Sequence, residues 1–154
     1  MLYLVRHGAA APAGSDDERP LTSQGRSQVR ELVQCLIRSK AAPSAIWHSE
    51  KKRAVETAEL IASGLGLPGS RSVVAGLTPD ACPDTALSLI ETFFIEQPSQ
   101  SLMIVSHLPF LPLLASHLMP GCCSSGMVMP TAGCWFLDHA GSGWSLEDWF
   151  VPGV

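Results

Sequence analysis

The chain has 154 residues, 46% of them hydrophobic and 16% charged, which is enough for one domain with a real core and too few for two comfortable ones. No segment reaches the roughly 18 uninterrupted apolar residues that a membrane span needs, and a formal charge of -4 argues against a general nucleic-acid or anionic-membrane binder. Any anion site must therefore be local. Cys35, Cys82, Cys122, Cys123 and Cys134 show neither CxxC nor Cys/His ligand spacing, so no disulfide framework, zinc site or other metal site is expected, and no role emerges for Cys122 and Cys123. The start, MLYLV, lacks the basic region and cleavage site of a secretory signal, so a cytoplasmic location is expected.

Taken in order, the pattern alternates strand with helix. Residues 2–5 form an apolar strand, and residues 22–39 a helix with Thr22 as N-cap and Val29, Leu32, Val33, Leu36 and Ile37 as its apolar stripe. Residues 45–48 (AIWH) give a second strand, after which Ser49 is expected to cap a helix ending near Leu65. A weaker strand at 72–75 and a helix at 83–96 lead to the clearest apolar strand, 102–105. Pro109 suits the first turn of a helix through Leu118, residues 122–133 read as a loop, and 134–137 with 144–149 form a closing antiparallel hairpin. This predicts a single α/β domain over residues 1–154, three-layered αβα, with a largely parallel sheet and an antiparallel C-terminal edge.

Open α/β sheets bind ligands at the carboxyl ends of their strands, so the residues at those ends carry the functional information. The first strand ends in Arg6-His7-Gly8, the second in His48-Ser49 with Arg53 a helical turn later, and the fourth in Ser106-His107. Parallel strands would deliver two arginines and two histidines to one edge. Arg53 also lies in the first turn of its helix, where the dipole disfavours a cation, and a bound anion would compensate. Lys51 and Lys52, its neighbours, read as solvated. Positive neighbours should push the pKa of His7 down and keep the ring neutral, hence nucleophilic, near pH 7. Phosphoryl transfer asks mainly for positioning and charge stabilisation, which these groups supply without a metal.

LVRHG after the first strand, LTSQG ahead of a helix, SEKKRAVETAELI in the next unit and VSHLP at a later strand end together resemble the histidine phosphatase superfamily, and within it the short SixA-type phosphohistidine phosphatases. The resemblance implies His7 as the transiently phosphorylated nucleophile, Arg6 and Arg53 as phosphate clamps, and His107 as the second histidine steadying the transferring oxygens. Gly8 and Arg19 complete the expected substrate-binding set. It implies no cofactor, and as partner a phosphohistidine protein such as a histidine-phosphotransfer domain or phosphocarrier. Larger members carry a catalytic glutamate after the third strand, whereas AGLTPDACPD here has none; Asp80 and Asp84 are the nearest substitute acids. Asp16, Asp17, Glu18 and Arg19 read as a solvated loop from which Arg19 reaches the rim, and His48, His117 and His139 as structural or surface residues. The expected activity is dephosphorylation of protein phosphohistidine through a covalent intermediate. Two readings stand beside it: a phosphomonoesterase for a small metabolite, and a phosphate- or phosphopeptide-binding module without turnover.

Overall fold

A computed structural model describes residues 1–121, 128–141 and 143–154, with Ala140 described by its backbone alone. Six strands, β1 (Leu2–Arg6), β2 (Ala45–His48), β3 (Arg71–Val73), β4 (Leu102–Ser106), β5 (Cys134–Ala140) and β6 (Gly143–Phe150), alternate with four helices, α1 (Ser23–Arg38), α2 (Lys52–Gly64), α3 (Pro83–Glu96) and α4 (Phe110–Leu118). The strands form one sheet in the order β3-β2-β4-β1-β5-β6. The first four run parallel, while β5 and β6 pair antiparallel at the C-terminal edge.

Because side chains alternate across a strand, β1 and β4 split their apolar residues between two cores. Leu2, Leu4, Leu102 and Ile104 pack on one face beneath Ile90 and Phe93 of α3 and Phe110 and Leu114 of α4. Tyr3, Val5, Met103 and Val105 pack on the other beneath Val29, Leu32 and Leu36 of α1 and Ala58 and Ile61 of α2. Each such large side chain, when fully buried, contributes about 1.5–3 kcal/mol relative to exposure. The chain leaves β1 onto one face through α1 and leaves β4 onto the opposite face through α4, so a crevice opens between the ends of these neighbouring strands.

Several boundaries differ from those expected. The chain pairs Arg6 with Ser106, so β1 and β4 each run one residue further than their apolar runs. The third strand is Arg71–Val73 rather than 72–75, since only these residues pair with β2. Ser49 is not the cap of α2. Its amide continues the sheet ladder to the Val105 carbonyl at 3.2 Å and its hydroxyl accepts from the Lys51 amide at 3.3 Å, which moves the cap to Lys51 and the helix start to Lys52. The orphan Lys52 amide is satisfied from outside the helix, by the Asp17 carbonyl at 2.9 Å. Pro109 occupies the cap of α4, one position before its first turn. Thr22 does cap α1, accepting from the Gly25 amide at 2.9 Å. The hairpin is longer than its apolar residues, because Asp138 and His139 go on pairing with Ser145 and Trp144. Of the expected 122–133 loop, residues 122–127, with Cys122 and Cys123, lie outside the described residues.

Candidate active site

The parallel register brings Arg6, His48 and Ser106 to one edge, so that the residues following β1 and β4 stand side by side. His7 donates its amide to the Ser106 carbonyl at 3.1 Å, and the His7 and His107 rings face each other with centroids 5.0 Å apart. His7 is 9% exposed, and His107 and Arg53 are also buried. Nδ1 of His7 lies 2.8 Å from the Gly8 carbonyl, which can only accept. The proton therefore sits on Nδ1, and the Nε2 lone pair is left for chemistry.

Burial is the main cause that pushes the His7 pKa down to about 4; the guanidinium groups of Arg53, Arg6 and Arg19 add to it, and the Gly8 hydrogen bond opposes it. The direction is the expected one, but desolvation outweighs the positive neighbours. His107 is pushed down to about 3, first by burial and then by His7, Arg53 and Lys51. Both rings are neutral at pH 7.

Arg6 donates Nη1 to the Met129 carbonyl at 2.9 Å. Arg53 donates Nη1 to the Asp16 carbonyl at 2.7 Å and Nη2 to the Asp16 carboxylate at 3.2 Å. The buried Nε atoms of Arg6 and Arg53 and both ring nitrogens of His107 have no hydrogen-bond partner among the described residues. Buried donors are rarely left without an acceptor, and orphans shared by two guanidinium groups and an imidazole leave a seat suited to an oxyanion. Gly8 contributes by its backbone: its amide donates to the Thr57 hydroxyl at 3.1 Å, and that hydroxyl donates to the Arg53 carbonyl at 2.7 Å. Thr57 thus ties the His7 turn to the helix that carries Arg53. Among the described residues, no cluster of three or more His, Cys, Asp or Glu side chains could hold a metal ion.

The histidine phosphatase superfamily (branch 1) model matches residues 2–77. Phosphohistidine phosphatase SixA of Escherichia coli (strain K12) is 32% identical over 144 residues, covering 92% of this chain and 88% of that protein. The chain belongs to the histidine phosphatase superfamily. A structure of the protein histidine phosphatase SixA complexed with tungstate superimposes with a TM-score of 0.90 at 27% identity, covering 98% of this chain and 96% of that one. A mycobacterial glucosyl-3-phosphoglycerate phosphatase shares the fold, with a TM-score of 0.75 at 16% identity, covering 95% of this chain and 96% of that one.

Against this histidine phosphatase framework, the residues singled out in the sequence separate into groups. Arg6, His7, Arg53 and His107 come together. Arg19 stands on the rim, its Nε donating to the Ala11 carbonyl at 3.2 Å and its Nη1 3.3 Å from the Asp16 carboxylate. Asp80 and Asp84 are exposed, and no hydrogen bond ties either side chain to the four central residues. His48, buried, turns Nδ1 to the Ser49 carbonyl at 3.0 Å, and His117 turns Nδ1 to the Leu113 carbonyl at 3.0 Å, as structural histidines do. The charge run is an exposed loop, as expected, but it is tied to the site, since Asp16 ion-pairs with Arg53 at 3.2 Å and with Lys51 at 2.9 Å. Lys51 is not solvated, its side chain being 13% exposed between Asp16 and Asp17. Asp16 has no periodic or motif signal that would have found it. Thr57 has one: it stands one turn beyond Arg53 on the same helix face.

Proposed function

We propose that the chain is a metal-independent protein-histidine phosphatase in which His7 is the nucleophile. The observation that carries this reading is the set of unpartnered buried donors on Arg6, Arg53 and His107 around a histidine whose Nε2 lone pair is free. His7 Nε2 forms a bond to the substrate phosphorus as the P–N bond to the substrate imidazole breaks, and the leaving ring, protonated by solvent on its other nitrogen, departs as neutral histidine. Water then attacks the phosphohistidine on His7 and releases orthophosphate. Arg6, Arg53 and His107 hold the equatorial oxygens, where charge stabilisation supplies most of the acceleration that phosphoryl transfer needs. Arg19 serves the rim, and Gly8 the turn that aims His7.

A phosphohistidine protein suits the site better than an alkyl ester. An alkoxide leaving group gains greatly from a positioned proton donor. Residues 75–84 offer no glutamate, and their two aspartates are exposed. A leaving imidazole protonates on its second nitrogen and needs no such donor. The relatives named phosphohistidine phosphatase support the substrate class, and a histidine-phosphotransfer domain or phosphocarrier has the surface histidine it requires. The free thiols of Cys35, Cys82 and Cys134 suit a reducing cytoplasm; no helix of the described residues is long and apolar enough to cross a membrane.

The test is to compare kcat/KM for a phosphohistidine protein and a phosphoserine peptide in one buffer. The expected result is a preference for phosphohistidine that persists in Asp80→Asn and Asp84→Asn. Equal or better turnover of the phosphoserine peptide would leave a general phosphomonoesterase in its place.

A further inference from the structure

Asp16 stands where the phosphoryl group's own counter-charges are. Its Oδ2 lies 3.2 Å from Arg53 Nη2 and 2.9 Å from Lys51 Nζ, its Oδ1 lies 3.3 Å from Arg19 Nη1, and its backbone carbonyl accepts from Arg53 Nη1 at 2.7 Å. The carboxylate is nonetheless 52% exposed, so it can leave these partners without entering the core. Two of the three cations have other anchors. Lys51 also pairs with Asp17 at 2.6 Å, and Arg19 also donates to the Ala11 carbonyl at 3.2 Å. Arg53, buried, has no second carboxylate among the described residues, and its Nε has no acceptor there at all. An arriving phosphoryl dianion and the Asp16 carboxylate must therefore share one guanidinium, and two like charges on one fork repel.

We propose that Asp16 is a resident counter-anion of the phosphoryl seat: it holds Arg53 in position before a phosphoryl group arrives and competes with orthophosphate for that guanidinium afterwards, weakening product binding and speeding its release. Asp16 is a positioning residue here, acting through Arg53. The proposal rests on the reading of Arg53 as a phosphoryl clamp.

The experiment measures steady-state turnover of p-nitrophenyl phosphate and its inhibition by inorganic orthophosphate in the wild type and in Asp16→Asn, Asp16→Ala, Asp16→Glu and Asp17→Asn. Removing the like charge in Asp16→Asn and Asp16→Ala, which keep the backbone carbonyl of residue 16 to hold Arg53 Nη1, should lower the orthophosphate inhibition constant about tenfold, with KM falling alongside and kcat falling as release slows. Asp16→Glu should restore weak phosphate binding, and Asp17→Asn, which leaves the partners of Arg53 intact, should leave it unchanged. A purely structural role predicts the opposite sign, since a misplaced Arg53 raises KM and the inhibition constant together. An unchanged or raised constant in both neutral variants would overturn the proposal while leaving the clamp standing. Failure of orthophosphate to compete in the wild type would overturn the clamp and the proposal together.

Discussion

At the scale of single residues, the site is governed by desolvation. His7 and His107, pushed down to about 4 and about 3, are both held neutral chiefly by burial rather than by their cationic neighbours. A histidine whose folded pKa lies below its unfolded value of about 6.5 protonates first in the unfolded chain. Its penalty is absent above pH 6.5, grows as the pH falls toward the folded pKa, and levels off below it. Between pH 7 and pH 5 each of the two should therefore cost roughly 1–2 kcal/mol of stability. Asp16, held well below the usual carboxylate range by Lys51 and Arg53, loses its contribution only under more acid conditions, so it does not blur this window. Urea melts at pH 7 and pH 5 give the check: the wild-type loss should shrink in His7→Asn. A wild-type stability that is flat from pH 7 to pH 5, or a loss undiminished in the variant, would contradict the assignment. The four central residues were legible in the sequence because each follows or shortly succeeds an apolar strand. Asp16 was not, because a loop carboxylate 37 positions before the arginine it pairs with leaves no periodic trace.

At the scale of elements, the contact between α1 and the turn after β1 decides how His7 is aimed. A Cβ at Gly25 would meet the Ala9 carbonyl at 2.1 Å, and one at Gly8 would meet the Gly25 carbonyl at 2.8 Å. Backbone lies against backbone here. Helix propensity alone predicts that Gly25→Ala stabilises by about 0.5–1 kcal/mol, whereas the close approach predicts an overpacking loss of about 1–3 kcal/mol. The loss should win, and thermal melts would show it as a lowered Tm with reduced turnover. A variant as stable as the wild type would mean that the turn yields freely and does not aim His7. Apolar stripes made these helices readable from the sequence, but their ends were set by contacts with other elements. Ser49 looked like a cap, yet the sheet ladder claims its amide and the Asp17 carbonyl satisfies the helix end instead. Asp138 and His139 looked like a turn because they are polar, yet they pair with Ser145 and Trp144 as strand beyond Leu137, where the pairing of β5 with β1 ends.

At the scale of the whole molecule, alternation of strand and helix fixed a parallel sheet, and that sheet gathers side chains from positions 6, 7, 53 and 107 at the crevice between β1 and β4. The order of strands was not readable in advance, since β4 inserts between β1 and β2 through contacts far apart in the chain. The consequence for function is that Arg6, His7, Arg53 and His107, the residues proposed as clamps, nucleophile and second histidine, arise from separate elements and assemble only in the folded sheet. The central claim is that His7 becomes phosphorylated during turnover, and rapid quench with a labelled phosphohistidine protein tests it most directly. The account predicts acid-labile, alkali-stable phosphate on His7 within the first turnover, absent in His7→Ala, which should retain the fold and lose turnover. Full turnover by His7→Ala, or label appearing on another residue of the wild type, would contradict it.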